Sequence, residues 1–437
     1  MHKRSVLIND EPLVVAAARP RFSAVWPCLL TLLGMLALAL HLPAQESLRY
    51  SLASEQAARA RAATANIPYN IKLGEARMRF AAGLGVEYND NINVAETGKQ
   101  DDIILRPEGT VDVFWPITEQ NSLNVSVNIG YTKFLENDQF DTMLIRPGSL
   151  LSFDFYVDNF RINLHDRFSF FQDPTQQGVI SGTNGFNAGY GVGENVIGVG
   201  VDWDLNKVIL SVGYDHADSF ATSSEFSFID RSSELFYLRA GVLALPELTV
   251  GAEFTGGLIR YQETRLNDSD QFTFGPYVDW LMSQFMRLGL RAGYQTYSFD
   301  IVNTNILSAA DTSSFYASLV LDHEVNRYVR YNLSAGHQVA LGVNSDAVNI
   351  TFARLAARWD IMRNTDISTD LFYEHGEETG SLNPETFNRM GFTLSTGYRL
   401  TDKLNGLLRY SITWKDSDVA LRSYTQNVIS LALGYRF

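Results

Sequence analysis

The chain has 437 residues, with 35 Lys and Arg against 49 Asp and Glu and a formal net charge of −14. That acidity excludes a nucleic-acid partner as the leading expectation, since such a partner asks for a basic face. Aromatic residues make up 12% of the chain, with 27 Phe, 20 Tyr and 32 Gly but only 12 Pro, a mixture suited to long pleated strands rather than helices.

The first element is an apolar run from Phe22 to Leu42, preceded by Lys3, Arg4, Arg19 and Arg21 and followed by L-P-A-Q at 42–45. It reads as a secretory signal peptide over residues 1–44, cut after Ala44. An uncleaved anchor helix is the alternative, because the run contains Pro27. The single cysteine, Cys28, lies in this run without a lipobox before it, so the exported chain is expected to have no disulfide framework. Residues 45–75 form a periplasmic N-terminal extension in which A-S-E-Q-A-A-R-A-R-A-A-T-A is a short helix former and I-P-Y-N-I-K-L-G-E-A an extended lead-in. No later segment approaches the roughly 20 consecutive apolar residues that a spanning helix needs.

From Ala76 onward the hydrophobic period is two. In R-M-R-F-A-A-G-L-G-V-E-Y the residues Met78, Phe80, Ala82, Leu84, Val86 and Tyr88 share one face, while Arg77, Arg79, Ala81, Gly83, Gly85 and Glu87 share the other. Such alternation predicts a strand with opposite environments on its two sides. The same template fits Leu123–Tyr131, Val208–Tyr214, Met390–Leu400 and the final stretch, where Ile429, Leu431, Leu433, Tyr435 and Phe437 line up. Along the whole chain it gives about 18 strands, with 16 as the alternative, starting near 76, 102, 122, 142, 159, 194, 207, 233, 248, 271, 285, 312, 326, 347, 364, 388, 404 and 425. Short connections (116–120, 204–206, 245–247, 401–403) alternate with long polar ones (89–101, 172–190, 216–231, 262–270, 299–311, 375–387, 416–424).

This pattern predicts an all-β fold over 76–437: a transmembrane antiparallel up-and-down β-barrel with short periplasmic turns and longer extracellular loops. A propeller also repeats about every 40 residues, but its blades hold four short strands rather than two long ones. Tryptophan separates the two. Trp115, Trp203, Trp280 and Trp359 each end a strand running into a short turn, Trp414 lies at the far end of another, and Phe437 closes the chain, as membrane-interface aromatics should. Two misfits stand out. Asp166 falls among Ile162, Leu164, Phe168 and Phe170 on the lipid side, and strand 347–360 slips phase in a way that a bulge near residue 353 would repair.

The inward face would carry function. It holds Arg77, Arg79, Arg106, Arg146, Arg161, Arg239, Arg287, Arg291, Arg330, Arg389, Arg399 and Arg409, with Arg167 and Arg358 in the same phase. Asp112, Asp154, Asp202, Glu253, Asp279 and Asp370 are interspersed. Guanidinium groups bind carboxylate and phosphate in fork geometry and can set channel selectivity, whereas a wall of mutually neutralising ion pairs would merely suit water. Both readings stand at this point. Inward aromatics such as Phe134, Tyr156, Phe171, Tyr277 and Tyr297 could stack on sugar rings or cover loops folded into the mouth. His165 is the one histidine expected to face inward within a strand; the chain has no G-x-S-x-G and no recognisable Ser/His pairing. D-H-A-D (215–218), N-D-S-D (267–270) and D-S-D (416–418) are expected as acid clusters in outer loops, without the spacing of a calcium loop. No phosphate loop, dinucleotide fingerprint or CxxC occurs, so no cofactor or metal is expected.

Two stretches carry a family resemblance. G-L-G-V-E-Y-N-D-N-I-N-V-A at 83–95, followed by D-D-I-I-L-R-P-E-G-T-V-D-V at 101–113, resembles the opening strands of β-barrel porin families of Gram-negative envelopes, some of whose members lie in exopolysaccharide loci. The alternating apolar end with its last Phe resembles the signal read by the barrel-assembly machinery. The resemblance implies an outer-membrane location among lipids and lipopolysaccharide, and passage of a hydrophilic solute or polysaccharide. It transfers no functional residue. The expected function is thus an outer-membrane channel; a non-conducting structural or adhesion barrel and an outer-membrane lipid hydrolase are the alternatives.

Overall fold

The computed structural model describes residues 69–171, 191–300 and 311–437, except the single positions 147, 344 and 382. The signal peptide expected over 1–44, the helical part of the extension and the long loop at 172–190 fall outside the described residues. In chain order the strand segments are β1 (Ile71–Leu73), β2 (Ala76–Asn89), β3 (Asp102–Pro116), β4 (Ser122–Phe134), β5 (Thr142–Ile145), β6 (Leu150–Val157) and β7 (Phe160–Phe171). Next come β8 (Val192–Asp204), β9 (Val208–Ala221), β10 (Arg231–Leu245), β11 (Leu248–Tyr261), β12 (Asp268–Ser283), β13 (Met286–Asp300) and β14 (Thr312–Glu324). The last are β15 (Val329–Leu341), β16 (Ala347–Met362), β17 (Thr365–Thr379), β18 (Thr386–Arg399), β19 (Leu404–Ser417) and β20 (Tyr424–Arg436).

These twenty segments make a closed barrel of 18 strands. β1 lies outside the ring as a short addition to β2, and β5 and β6 are the two halves of one strand, both laid against β4. The expected strand starts agree with the observed ones to within three residues. Neighbouring strands pair antiparallel in sequence order, and β2 closes the ring on β20 from Ala81↔Arg436 to Asn89↔Val428. The Phe437 N–H donates to the Phe80 carbonyl at 3.3 Å, so the terminal residue still belongs to the seam. Closure matters because hydrocarbon offers no partner for a free strand edge.

Alternation decides which side faces out. Leu84, Val86, Ile129, Leu151, Val212, Leu238, Val250, Leu394, Leu408, Leu431 and Leu433 are all exposed although large and apolar. No water-soluble fold leaves such a belt bare. Trp115, Trp203, Trp280 and Trp359 sit exposed at its lower margin, where Phe160 stacks on Trp203 at 5.2 Å between centroids. Trp414 and Phe437 are exposed on the same face.

The two sequence misfits resolve differently. Asp166 does face outward, and the Asn195 amide of the next strand donates to it at 2.7 Å, which removes part of the cost of a carboxylate there. The expected bulge near 353 is absent: β16 runs in unbroken register with β15 from Ala347 to Trp359, and with β17 until the irregularity between Asp360 and Met362. Val348, Ile350 and Phe352 instead face inward, packed with Ala340 and Phe387. The apolar phase slips because the upper end of this strand has an apolar environment on its inner side.

The acid clusters also need correction. Strands run higher than expected, so 215–218 belongs to β9, 268–270 to β12 and Asp416 and Ser417 to β19 rather than to loops. Inside, rings lie back against the wall wherever a neighbouring strand offers glycine. Tyr277 is opposite Gly251, itself opposite Gly241; a Cβ on Gly251 would fall 2.1 Å from the Ala240 carbonyl and 2.6 Å from the Tyr277 ring. We therefore expect Gly251→Ala to lower stability by about 1–3 kcal/mol through overpacking. Gly109→Ala, whose added Cβ has no neighbour nearer than 4.0 Å, should stay within about 0.5 kcal/mol of the parent. Urea unfolding in detergent or lipid compares them, and equal midpoints would contradict the close-approach account.

Candidate lumen site and mouth

All twelve arginines expected on the inner wall lie in the inward phase, and they divide into two groups. Seven have carboxylates. Arg79 Nε donates to Asp112 at 2.7 Å, Arg106 to Glu87 at 2.8 Å, Arg146 Nε to Glu108 at 2.7 Å, Arg161 to Asp202 at 2.6 Å, Arg239 to Asp279 at 2.7 Å and Arg389 Nε to Glu374 at 2.9 Å; Arg291 Nε lies 3.7 Å from Glu253. Arg77 is set over the rings of Tyr69 and Phe114. Arg287, Arg330, Arg399 and Arg409 have no carboxylate within ion-pair distance among the described residues, and none of the four is buried. Arginines paired with carboxylates and arginines without one thus coexist in one barrel, in different places.

Burial separates those places further. On β6 to β9 the inward polar groups Ser152, Asp154, Asn163, His165 and Asp215 are all at most 2% exposed, as are Ser269, Gln271, Thr273 and Gln295 on β12 and β13. An open lumen of 18 strands would leave such groups wet, so this part of the wall does not line a water path. His165 belongs here: one ring nitrogen lies 3.0 Å from Asn163, the other 3.0 Å from Asp215, and Asn163 donates to Ser152 at 2.8 Å. The ring is held between two partners and sealed, an arrangement that fixes structure and offers no nucleophile to a substrate. The aromatics Phe134, Tyr277 and Tyr297 are likewise buried, which removes them as sugar-stacking platforms; Tyr156 is partly exposed, and the Phe171 side chain is outside the described residues.

The wet inner wall is the periplasmic half of β13 to β19. A cleft of about 510 Å³ opens there, lined among others by Arg330, Arg354, Arg358, Ser368, Ser395 and Arg409. Arg354 is held by Asp370 at 2.9 Å, and Arg358 by Asp360 and Asp366, both at 3.1 Å. The two serine hydroxyls are 3.1 Å apart. Sequence reasoning missed the serines, although their inward phase was readable; residue type gave no reason to single them out. Among the described residues no group of three or more His, Cys, Asp or Glu is placed to hold a metal ion.

At the opposite end the mouth is narrowed by connections from separate hairpins. β14 and β15 pair only up to Ala317↔His337, whereas β15 and β16 stay paired to Leu341↔Ala347. Above the parting β15 leans inward, Val339 is fully buried against Tyr297 and Phe299 of β13, and the Tyr297 hydroxyl donates to the Val339 carbonyl at 3.2 Å. The tip of this hairpin reaches the loops after β9 and β11. Val343 joins Phe226, Phe228, Ile229 and Leu266 in one buried cluster. Asn267 donates its backbone N–H to Asp346 at 3.1 Å and its side-chain amide at 2.9 Å. Gly380, at φ +72°, passes so close that a Cβ would be 2.6 Å from Asp346 Oδ2. Further round, Lys415 reaches Glu385 at 2.6 Å and Arg422 reaches Glu385 at 3.2 Å, tying two more loops to the wall.

Burial pushes the Asp346 carboxyl above the usual carboxylate range, although both Asn267 donors pull it down. A closed tip therefore takes a proton more readily than an opened one, so its hold is greatest in acid and weakens as pH rises through the raised value. Conductance of the reconstituted barrel should accordingly be lowest at acid pH and rise toward neutrality, and Asp346→Asn should flatten the dependence. A pH profile unchanged by Asp346→Asn would exclude this contact as its source.

No family model and no curated protein matches the chain. Solved structures do. A BenF-like porin from Pseudomonas fluorescens aligns at 9% identity over 84% of this chain and 100% of that one, with a TM-score of 0.48. Pseudomonas aeruginosa OccK2, solved with glucuronate, aligns at 10% identity over 84% and 99% with a TM-score of 0.47, and Acinetobacter baumannii OccAB3 at 9% over 82% and 99% with 0.44. Likeness at this level is one of barrel fold alone and passes no residue role or substrate to the present chain.

Proposed function

We propose that this outer-membrane barrel is a channel for hydrophilic anions, with the β13–β19 side of its lumen as the path. The apolar belt and the closed strand ring fit a Gram-negative outer membrane. The observation that carries the anionic preference is the set Arg287, Arg330, Arg399 and Arg409, inward, exposed and without a carboxylate among the described residues. A charge that the fold leaves uncompensated attracts counter-ions into a narrow, low-dielectric passage far more than a neutralised pair does. Sealing of the β6–β9 wall and the interlocked mouth make the passage narrow rather than general. Small acidic solutes and acidic polysaccharide segments both fit that chemistry. A barrel that does not conduct and acts through its loops is favoured by one observation, the packed mouth, and differs in having no ionic current.

Recording across planar bilayers under a salt gradient separates these. The parent should conduct with a reversal potential on the anion side. Replacing all four, Arg287→Ala, Arg330→Ala, Arg399→Ala and Arg409→Ala, should abolish most of that preference, while Arg79→Ala, which removes a paired cation, should change it less. Absence of current from correctly folded barrel would exclude the channel reading.

A further inference from the structure

Cross-strand register sets one row of the inner wall in an unusual order. Glu324 of β14 is opposite Arg330 of β15, Arg330 opposite Arg358 of β16, Arg358 opposite Ser368 of β17, Ser368 opposite Ser395 of β18, and Ser395 opposite Arg409 of β19. Every member is polar, and the row continues through Ser430 of β20 to Glu87 of β2. Its five central residues, from Arg330 to Arg409, line the same cleft. Strands are spaced by about 4.8 Å, so Arg330 and Arg409 are about 19 Å apart along the wall. Because barrel strands tilt, a row of partners winds around the lumen and rises along it; a ligand following the row would progress along the channel.

The row contains an electrostatic conflict. Arg330 and Arg358 are directly opposed, an arrangement of like charges that destabilises a strand pair. Arg358 is compensated by Asp360 and Asp366, but Arg330 is not, and although Glu324 is its register partner the two are not within ion-pair distance. Between the cations the Ser368 and Ser395 hydroxyls bond only to each other among the described residues, and each can exchange that bond for one to a ligand hydroxyl. Cations at the ends with hydroxyls between them match a molecule that is long, carries spaced acidic groups and is hydroxylated.

We propose that the row from Arg330 to Arg409 is a binding track for a linear acidic oligosaccharide, whose carboxylates pair with Arg330 and Arg409 and whose hydroxyls bond Ser368 and Ser395. The proposal rests on the anion-channel reading for its path but not for its test, which measures binding rather than current. Occupancy relieves the Arg330–Arg358 repulsion, so ligand should stabilise the barrel, and removing Arg330 should stabilise the empty barrel while abolishing the ligand's effect.

The test is thermal unfolding of purified, folded barrel with tetragalacturonate, with neutral maltotetraose of the same length, and with inorganic phosphate. Tetragalacturonate should raise the unfolding temperature of the parent, and maltotetraose should not. Arg330→Gln should unfold no earlier than the parent without ligand, and its affinity for tetragalacturonate should fall at least tenfold, as should that of Arg409→Gln. Ser368→Ala together with Ser395→Ala should weaken binding while leaving the salt dependence intact. Arg79→Ala should bind as the parent does. The proposal is overturned by any of three results: no shift with tetragalacturonate, undiminished binding by Arg330→Gln and Arg409→Gln, or an equal shift with phosphate alone, which would mark a point site for small anions. Conduction without tetragalacturonate binding would leave the channel standing and remove the track; binding without conduction would do the reverse.

Discussion

Everything in this molecule depends on one set of hydrogen bonds, those between β2 and β20. A membrane offers a strand no partner, so the first and last strands must find each other across more than 330 residues of sequence, and register there fixes register throughout. Because successive side chains point to opposite sides, the seam also determines which residues meet lipid and which meet the lumen. A slip of β2 by one residue against β20 would send Leu84 and Val86 inward and Glu87 into hydrocarbon. The inward arginines are arranged by the same rule, so lumen chemistry is a by-product of a backbone constraint.

Within that constraint the wall is specialised by sector. On β6 to β9 polar groups are matched and sealed; on β13 to β19 several are left wet and unmatched. Both sectors obey the same alternation, and the difference lies in what packs on them and which acid stands within reach of which base. Pairing has a cost in chemistry: Arg239, set 3.9 Å over the Tyr277 ring and bonded to Asp279, has little left to offer a solute. Arg409 keeps all its donors free of carboxylates among the described residues. Matched and unmatched charges are thus assigned to different arcs of one wall.

How much of this was legible in the sequence follows from the same physics. Strand positions, strand number and the inward phase of the arginines come from a period of two, a local property that needs no knowledge of partners. The phase of β16 could not be read, because Val348, Ile350 and Phe352 look like lipid-facing residues until the inner apolar packing around Phe387 is known. The polar pattern ends the strands too early for a related reason: D-H-A-D reads as a polar turn, yet Asp215 turns inward to His165 and His216 outward to Glu234. Which arginines are free could not be read at all. Arg330 and Arg354 are alike in sequence context, and only three-dimensional distance gives Asp370 to Arg354 and, among the described residues, no carboxylate to Arg330. Nor does any local pattern link Val343 to Phe226.

The contact between Asp166 and Asn195 makes β7 and β8 depend on each other in lipid. Its two residues are on the paired strands β7 and β8, and the amide offsets part of the cost of holding the carboxylate away from water. A lone β7 would have to carry an unaccompanied carboxylate into hydrocarbon, at a penalty of several kcal/mol on the scale of a desolvated charge. That side-chain hydrogen bond thus couples β7 to β8 on the outer surface of the barrel in addition to their backbone ladder, and it would be lost if either strand met lipid without the other.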